Sequence, residues 1–138
     1  MTQVVVIDYG MGNLHSVSKA IQAVSSSESI VISSNTDVIK AADKIVFPGV
    51  GAIKDCMEAF SVDLRETVLE EIDKKPTLAI CVGMQMLLKS SEENGGVDCF
   101  DILDGKVTKI NASKEIKVPH MGWNRVKFLK EHVLLENI

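Results

Sequence analysis

Cys81 has the chemistry and the setting of a nucleophile in the stretch Pro76-Thr77-Leu78-Ala79-Ile80-Cys81-Val82-Gly83-Met84-Gln85. A short apolar run ends at this cysteine. A helical pattern, Met84, Met86, Leu87 and Leu88, starts directly after it. Only a sharp strand-to-helix turn fits between the two. Small residues two positions to each side, Ala79 and Gly83, meet the steric demand of such a turn, the nucleophile elbow. The turn places the sulfur at a helix N-terminus, where the positive end of the dipole favours thiolate. An ordinary thiol is only about 3% ionised at neutral pH, so a modest depression matters. The competing reading is a packed cysteine, since free cysteine is among the most buried residue types.

Two glycine loops are the other candidates. Pro48-Gly49-Val50-Gly51 follows the strand-like run at residues 44–47, the end of a strand where open α/β sheets bind ligands. Glycines on both sides of Val50 let the backbone turn an N–H toward a ligand, although a plain strand-to-helix turn uses glycine too. Gly10-Met11-Gly12 follows the first strand-like run. The third glycine of a dinucleotide fingerprint would fall at His15, so that fingerprint fails.

The elements that must position these residues alternate. Residues 3–8 read as a buried strand, and Leu14, Val17, Ile21 and Val24 as the apolar face of a helix. A polar turn at 25–29 leads to strand 30–32, helical turn 36–42 and strand 44–47. Residues 52–73 are mostly helical with a break near Ser61, and the strand into Cys81 follows. This order predicts an open, mostly parallel doubly wound α/β sheet. After residue 100 the pattern changes. Asp104-Gly105 between apolar residues is a hairpin signal, and 107–110, 116–118 and 125–128 are strand candidates, predicting antiparallel additions.

Composition narrows the class. At 138 residues the chain is one domain by length, with 46% hydrophobic and 25% charged residues. A net charge of -4 with no Lys/Arg block argues against nucleic acid or an anionic membrane as main partner. No run approaches a transmembrane span, and no basic region precedes the first apolar run. Three cysteines, Cys56, Cys81 and Cys99, have no paired spacing, which fits a reducing cytoplasm.

The segments Pro48-Gly49-Val50-Gly51 and Ala79-Ile80-Cys81-Val82-Gly83-Met84-Gln85 resemble the oxyanion loop and elbow of class I (triad) glutamine amidotransferases, which have a flavodoxin-like core. Within that family, three further features resemble the glutaminase subunits of imidazole glycerol phosphate synthases. They are Asp8-Tyr9-Gly10-Met11-Gly12-Asn13-Leu14, Ser91-Glu92-Glu93 and Pro119-His120-Met121-Gly122-Trp123-Asn124. The resemblance implies hydrolysis of L-glutamine to glutamate and ammonia. The ammonia then passes to a (β/α)8-barrel synthase subunit of histidine biosynthesis. On matching positions it makes Cys81 the nucleophile and Gly49, Val50, Gly51, Val82 and Gln85 the oxyanion and substrate contacts. Gly10, Met11, Gly12, Asn13 and Trp123 become contacts to the synthase subunit. No cofactor and no metal are implied.

Two departures stand out. Ala79 occupies a position where the family usually has glycine, and alanine is still small. The family's base is a histidine in a His-x-Glu motif. Here His15, His120 and His132 are followed two positions on by Val17, Gly122 and Leu134. The expectation is therefore a single amidotransferase domain, residues 1–138, that is C-terminally incomplete and inactive alone. The alternatives are a short form that binds the synthase without catalysis, and another elbow-cysteine α/β hydrolase.

Overall fold

In a computed structural model describing residues 1–25 and 27–136, the apolar runs assemble into two sheets. Strands β1 (Gln3–Ile7), β2 (Ser29–Ser33), β3 (Lys44–Gly49) and β4 (Thr77–Cys81) are parallel, in the order β2-β1-β3-β4. This is the order in which a flavodoxin-like sheet begins. Val5 lies between Val31 and Ile45, and Gly49 is paired with Cys81.

β1 and β3 are buried on both faces, which is why their sequences are nearly continuous apolar runs. Val4, Val6 and Val46 face Leu14, Val17 and Ile21 of α1 (Leu14–Val24). Val5, Ile7, Ile45 and Phe47 face the opposite core. That side is built by α2 (Thr36–Ala41), α3 (Ile53–Glu58), α4 (Val62–Lys74) and α5 (Val82–Met86), through Ile39, Ile53, Leu64, Val68 and Met86. The doubly wound α/β core read from the alternation is present. Asn13, Asn35 and Ser61 cap α1, α2 and α4 with their side chains, and Ser61 marks the break between α3 and α4. No helix among the described residues is long and apolar enough to cross a membrane. Ser26, in the turn expected at 25–29, lies outside the described residues, as do residues 137 and 138.

Five expectations need correction. The helix after Cys81 stops at Met86, and Leu88 opens β5 (Leu88–Ser91). Backbone N–H groups of Phe100, Ile102 and Asp101 take the carbonyls of Met86, Leu87 and Leu88, which a longer helix would have used internally. Asp104-Gly105 makes no hairpin, because it lies inside β7 (Leu103–Val107). There the step from Leu88↔Leu103 to Ser90↔Lys106 takes up an extra residue as a bulge, with Gly105 at φ +127°. The antiparallel pairing is with β6 (Val97–Asp98), before residue 100, while β7 runs parallel to β5. Residues 108–132 contain no helix or strand, so the candidates at 116–118 and 125–128 are not strands, and of the candidate at 107–110 only Val107 is, as the end of β7. Lastly, Val24 at the end of α1 is 88% exposed, and Met84 and Leu78 are about half exposed, so these three lie outside the core expected of them.

Lys75 ties α2 to α4. Its ammonium donates to the carbonyls of Ile39 (2.9 Å) and Lys40 (2.7 Å), at the negative end of α2, and pairs with the Glu71 carboxylate at 2.6 Å. Hydrogen bonds from Lys75, and then from Lys74, hold the Glu71 carboxyl below the ordinary carboxylate range. Lys75→Met therefore destabilises the fold by about 2 kcal/mol in denaturant titrations at pH 7. Glu71→Gln is also destabilising. Because the folded Glu71 pKa is depressed, its stabilisation is complete above the ordinary value of about 4.3. It is lost as the pH falls through the folded value, so wild type and Glu71→Gln converge in stability toward pH 3.

Candidate active site

Parallel strands deliver their C-terminal loops to one edge of the sheet, and three such loops meet here. They follow β1 (Tyr9 to Asn13), β3 (Val50 to Ala52) and β4, whose last residue is Cys81. Cys81 is exposed, whereas Cys56 and Cys99 are buried. Its backbone sits at φ +56° and ψ -119°, a conformation that costs an L-residue about 1–3 kcal/mol. The packing on either side enforces it.

Two glycines make that packing possible. A Cβ added to Gly83 would lie 2.2 Å from the carbonyl oxygen of Phe47. A Cβ added to Gly49 would lie 2.4 Å from the backbone nitrogen of Gly83. The end of β3 and the first turn of α5 thus touch backbone to backbone. Phe47 anchors the contact from below, fully buried among Tyr9, Phe60 and Phe100, with ring centroids 5.8, 6.0 and 6.2 Å away. Ala79, the departure noted in β4, packs its methyl on this same core.

The Pro48-to-Gly51 backbone is held from outside itself. The Tyr9 hydroxyl donates to the Pro48 carbonyl at 2.9 Å, and Tyr9 stacks on Phe60 at 4.4 Å. The Cys56 thiol donates to the Val50 carbonyl at 3.4 Å. Two residues beyond Gly51, the Glu93 carboxylate accepts the Ile53 N–H at 3.2 Å, capping α3, for which Ala52 offers no side-chain cap. Burial pushes the Cys56 and Cys99 thiols above their ordinary value. Burial also pushes the Tyr9 phenol up, with Cys56 contributing. All three groups stay protonated at neutral pH.

The structure brings most of the residues singled out in the sequence to this edge. Val50 is half exposed and Gly51, at φ +100°, is exposed, while Val82 is buried at the start of α5. Gln85 is half-buried, one helical turn after Cys81. Gly10 and Gly12 both have positive φ, and Met11 reaches toward Gly51: its terminal methyl is 3.5 Å from where a Cβ on that glycine would sit. Asn13 has a use of its own, accepting the Ser16 N–H as the cap of α1. Trp123 is fully exposed, on the segment without regular structure. Among the described residues no histidine is hydrogen-bonded to Cys81; His15 and His120 are exposed, and His132 Nδ1 accepts the Leu134 N–H. A recess of about 240 Å³ lies beside Tyr9 and Gly10, lined also by Ser61 and Leu64, and Cys81 is not in its wall. In the sequence Cys56 stands out only as a cysteine without paired spacing, and Glu93 only as part of a motif. Their contacts span 6 and 40 residues, and local pattern does not signal them.

The glycine contact generates a direct prediction. Gly83→Ala and Gly49→Ala each destabilise the chain by about 3 kcal/mol or more, because the obstructing atoms are backbone. Gly10→Ala, with nothing within 4 Å of the added methyl but φ +87°, costs only about 1–2 kcal/mol of backbone strain. Thermal and denaturant unfolding of the three variants checks this order.

Comparison with known proteins agrees with this geometry. The family profile described as glutamine amidotransferase class-I matches residues 5–137. The imidazole glycerol phosphate synthase subunit HisH of Nitrosococcus oceani is 51% identical over 97% of this chain and 65% of its own length. The subunit of the same name from Methylococcus capsulatus is 47% identical over 93% of this chain and 62% of its own length. That from Pseudomonas syringae pv. syringae is 49% identical over 100% of this chain and 68% of its own length. The chain thus spans about two thirds of the length of these curated relatives. By sequence and by the fold that carries its elbow cysteine, it belongs to the class-I glutamine amidotransferase family.

Proposed function

We propose that this chain is the glutaminase part of an imidazole glycerol phosphate synthase, a single amidotransferase domain that releases ammonia from L-glutamine. The observation that carries the reading is the strained Cys81 elbow, in register with Gly49 and so beside the Gly49-Val50-Gly51 loop. Cys81 sulfur attacks the side-chain carboxamide carbon, and the carbonyl oxygen becomes an oxyanion. The N–H of Val82 and an N–H of the Gly49-Val50-Gly51 loop hold that oxyanion, each such donor being worth about 10²–10³ in rate. The intermediate collapses with loss of the amide nitrogen, which leaves as ammonia after taking a proton. A γ-glutamyl thioester remains on Cys81, and water hydrolyses it to glutamate. Gln85 and Gly51 contact the substrate.

The partner in this reading is a (β/α)8-barrel synthase subunit that consumes the ammonia, bound through Gly10, Met11, Gly12, Asn13 and Trp123. The relatives support it, since their names make each one a subunit of such a synthase. Ammonia release measured with the barrel subunit present tests this reading.

The nucleophile itself is tested without turnover. A chloromethyl ketone analogue of glutamine labels Cys81 about tenfold faster or more than Cys56 or Cys99, glutamine protects it, and Cys81→Ser abolishes the labelling. His120→Ala leaves the rate within about twofold. Peptide mass spectrometry reads each site. Equal labelling of the three cysteines contradicts the proposal.

A further inference from the structure

We infer that Cys56 is a positioning residue for the loop beside the nucleophile, acting with Tyr9 to fix the peptide planes between Pro48 and Gly51. This rests on the function proposed above. Cys56 lies on α3, is fully buried and touches no solvent from which a substrate could reach it. Its thiol does not bond back along its own helix. It reaches six residues back, to the Val50 carbonyl at 3.4 Å. Two residues earlier in the same loop, the Pro48 carbonyl is taken by the Tyr9 hydroxyl at 2.9 Å. Just beyond the loop, the Ile53 N–H is taken by Glu93. Each of these tethers comes from an element other than β3, so the loop's conformation is imposed on it.

The consequence follows from peptide planarity. In a trans peptide the N–H points opposite to the C=O. With the Val50 carbonyl held on the buried Cys56 thiol, the N–H of Gly51, itself an exposed residue, points away from that thiol. Positive φ at Gly51 lets the chain turn there without a Cβ to oppose it. A thiol is a weak donor, so the bond contributes orientation more than stability. Valine at position 56 would fill the thiol's space and alanine would leave it empty, and either would leave that carbonyl free to rotate. An oxyanion donor is useful only when it is aimed before the charge develops.

Two electrophiles at Cys81 separate aim from reactivity. Iodoacetamide is displaced at carbon, iodide leaving and the thiol proton passing to solvent, and no oxyanion forms. The glutamine chloromethyl ketone reacts by addition of sulfur to the ketone carbon, giving an oxyanion, the thiol proton passing to solvent; the sulfur then shifts to the methylene carbon as chloride leaves and the ketone re-forms. In Cys56→Ala the limiting rate with the chloroketone falls about tenfold or more. Its half-saturating concentration and the iodoacetamide rate stay within about twofold of wild type. Cys56→Ser, which keeps a donor, recovers part of the loss. Cys56→Val keeps the volume without the donor and is read in the same way, so a folding defect in one variant leaves the comparison intact. Limiting chloroketone rates within about twofold of wild type in both Ala and Val variants overturn the inference. So does a parallel fall in the iodoacetamide rate, which would make Cys56 a packing residue. If wild-type Cys81 itself shows no preference for the chloroketone, the proposed function fails, and this inference falls with it.

Discussion

Everything at the functional edge depends on a backbone contact between Phe47 and Gly83. Here β3 and the turn after β4 come so close that no Cβ can stand between them. Gly49, two residues further along the same strand, completes the contact. The closeness has two effects at once. It forces Cys81 into a positive-φ conformation that lifts its sulfur out of the sheet. It also sets the carboxyl end of β3, with its glycine loop, directly against Cys81. The energy that holds the strained residue comes from the core beneath. Phe47, Ile45, Val5 and Ile7 are all essentially buried, each worth about 1.5–3 kcal/mol relative to exposure. Against several such side chains a strain of about 1–3 kcal/mol at one residue is readily sustained.

The same core explains why the loop after β3 is well defined although it lies at the surface. Its carbonyls point down onto Tyr9 and Cys56, and the helix that follows it is capped by Glu93 from the turn joining β5 to β6. The three-stranded sheet of β5, β6 and β7 therefore has a use beyond covering the core. It carries the carboxylate that fixes the start of α3. In turn, Ser91 Oγ accepts the Glu93 N–H at 3.2 Å and the Glu92 carboxylate accepts the Lys109 N–H at 2.9 Å. The Ser91-Glu92-Glu93 segment is thus a small capping device. Stability and site geometry are hard to separate here, because the same residues supply both.

How much of this is legible in the sequence depends on the range of the interaction concerned. Strands buried on both faces announce themselves as runs such as Val4 to Ile7. Asn35 and Ser61 mark helix starts by a contact two or three residues long. The elbow is legible too, because its requirement for Gly83 lies two residues from Cys81. Leu88 misleads because the N–H groups that end its helix come from residues 100–103. Asp104-Gly105 misleads because a glycine at positive φ serves a bulge as well as a hairpin turn. Cys56 and Glu93 are legible as residue types, but their partners are visible only once the chain is folded.

The most direct test of the account is the structure of the chain with a glutamine chloromethyl ketone bound covalently to Cys81. The prediction is that the ligand oxygen lies within about 2.7–3.1 Å of the Val82 N–H and of an N–H in the Gly49-Val50-Gly51 loop. The Val50 carbonyl should remain on the Cys56 thiol, as in the free chain. A ligand oxygen directed into solvent, with neither N–H in contact, would contradict the claim that the glycine crossing builds an oxyanion site.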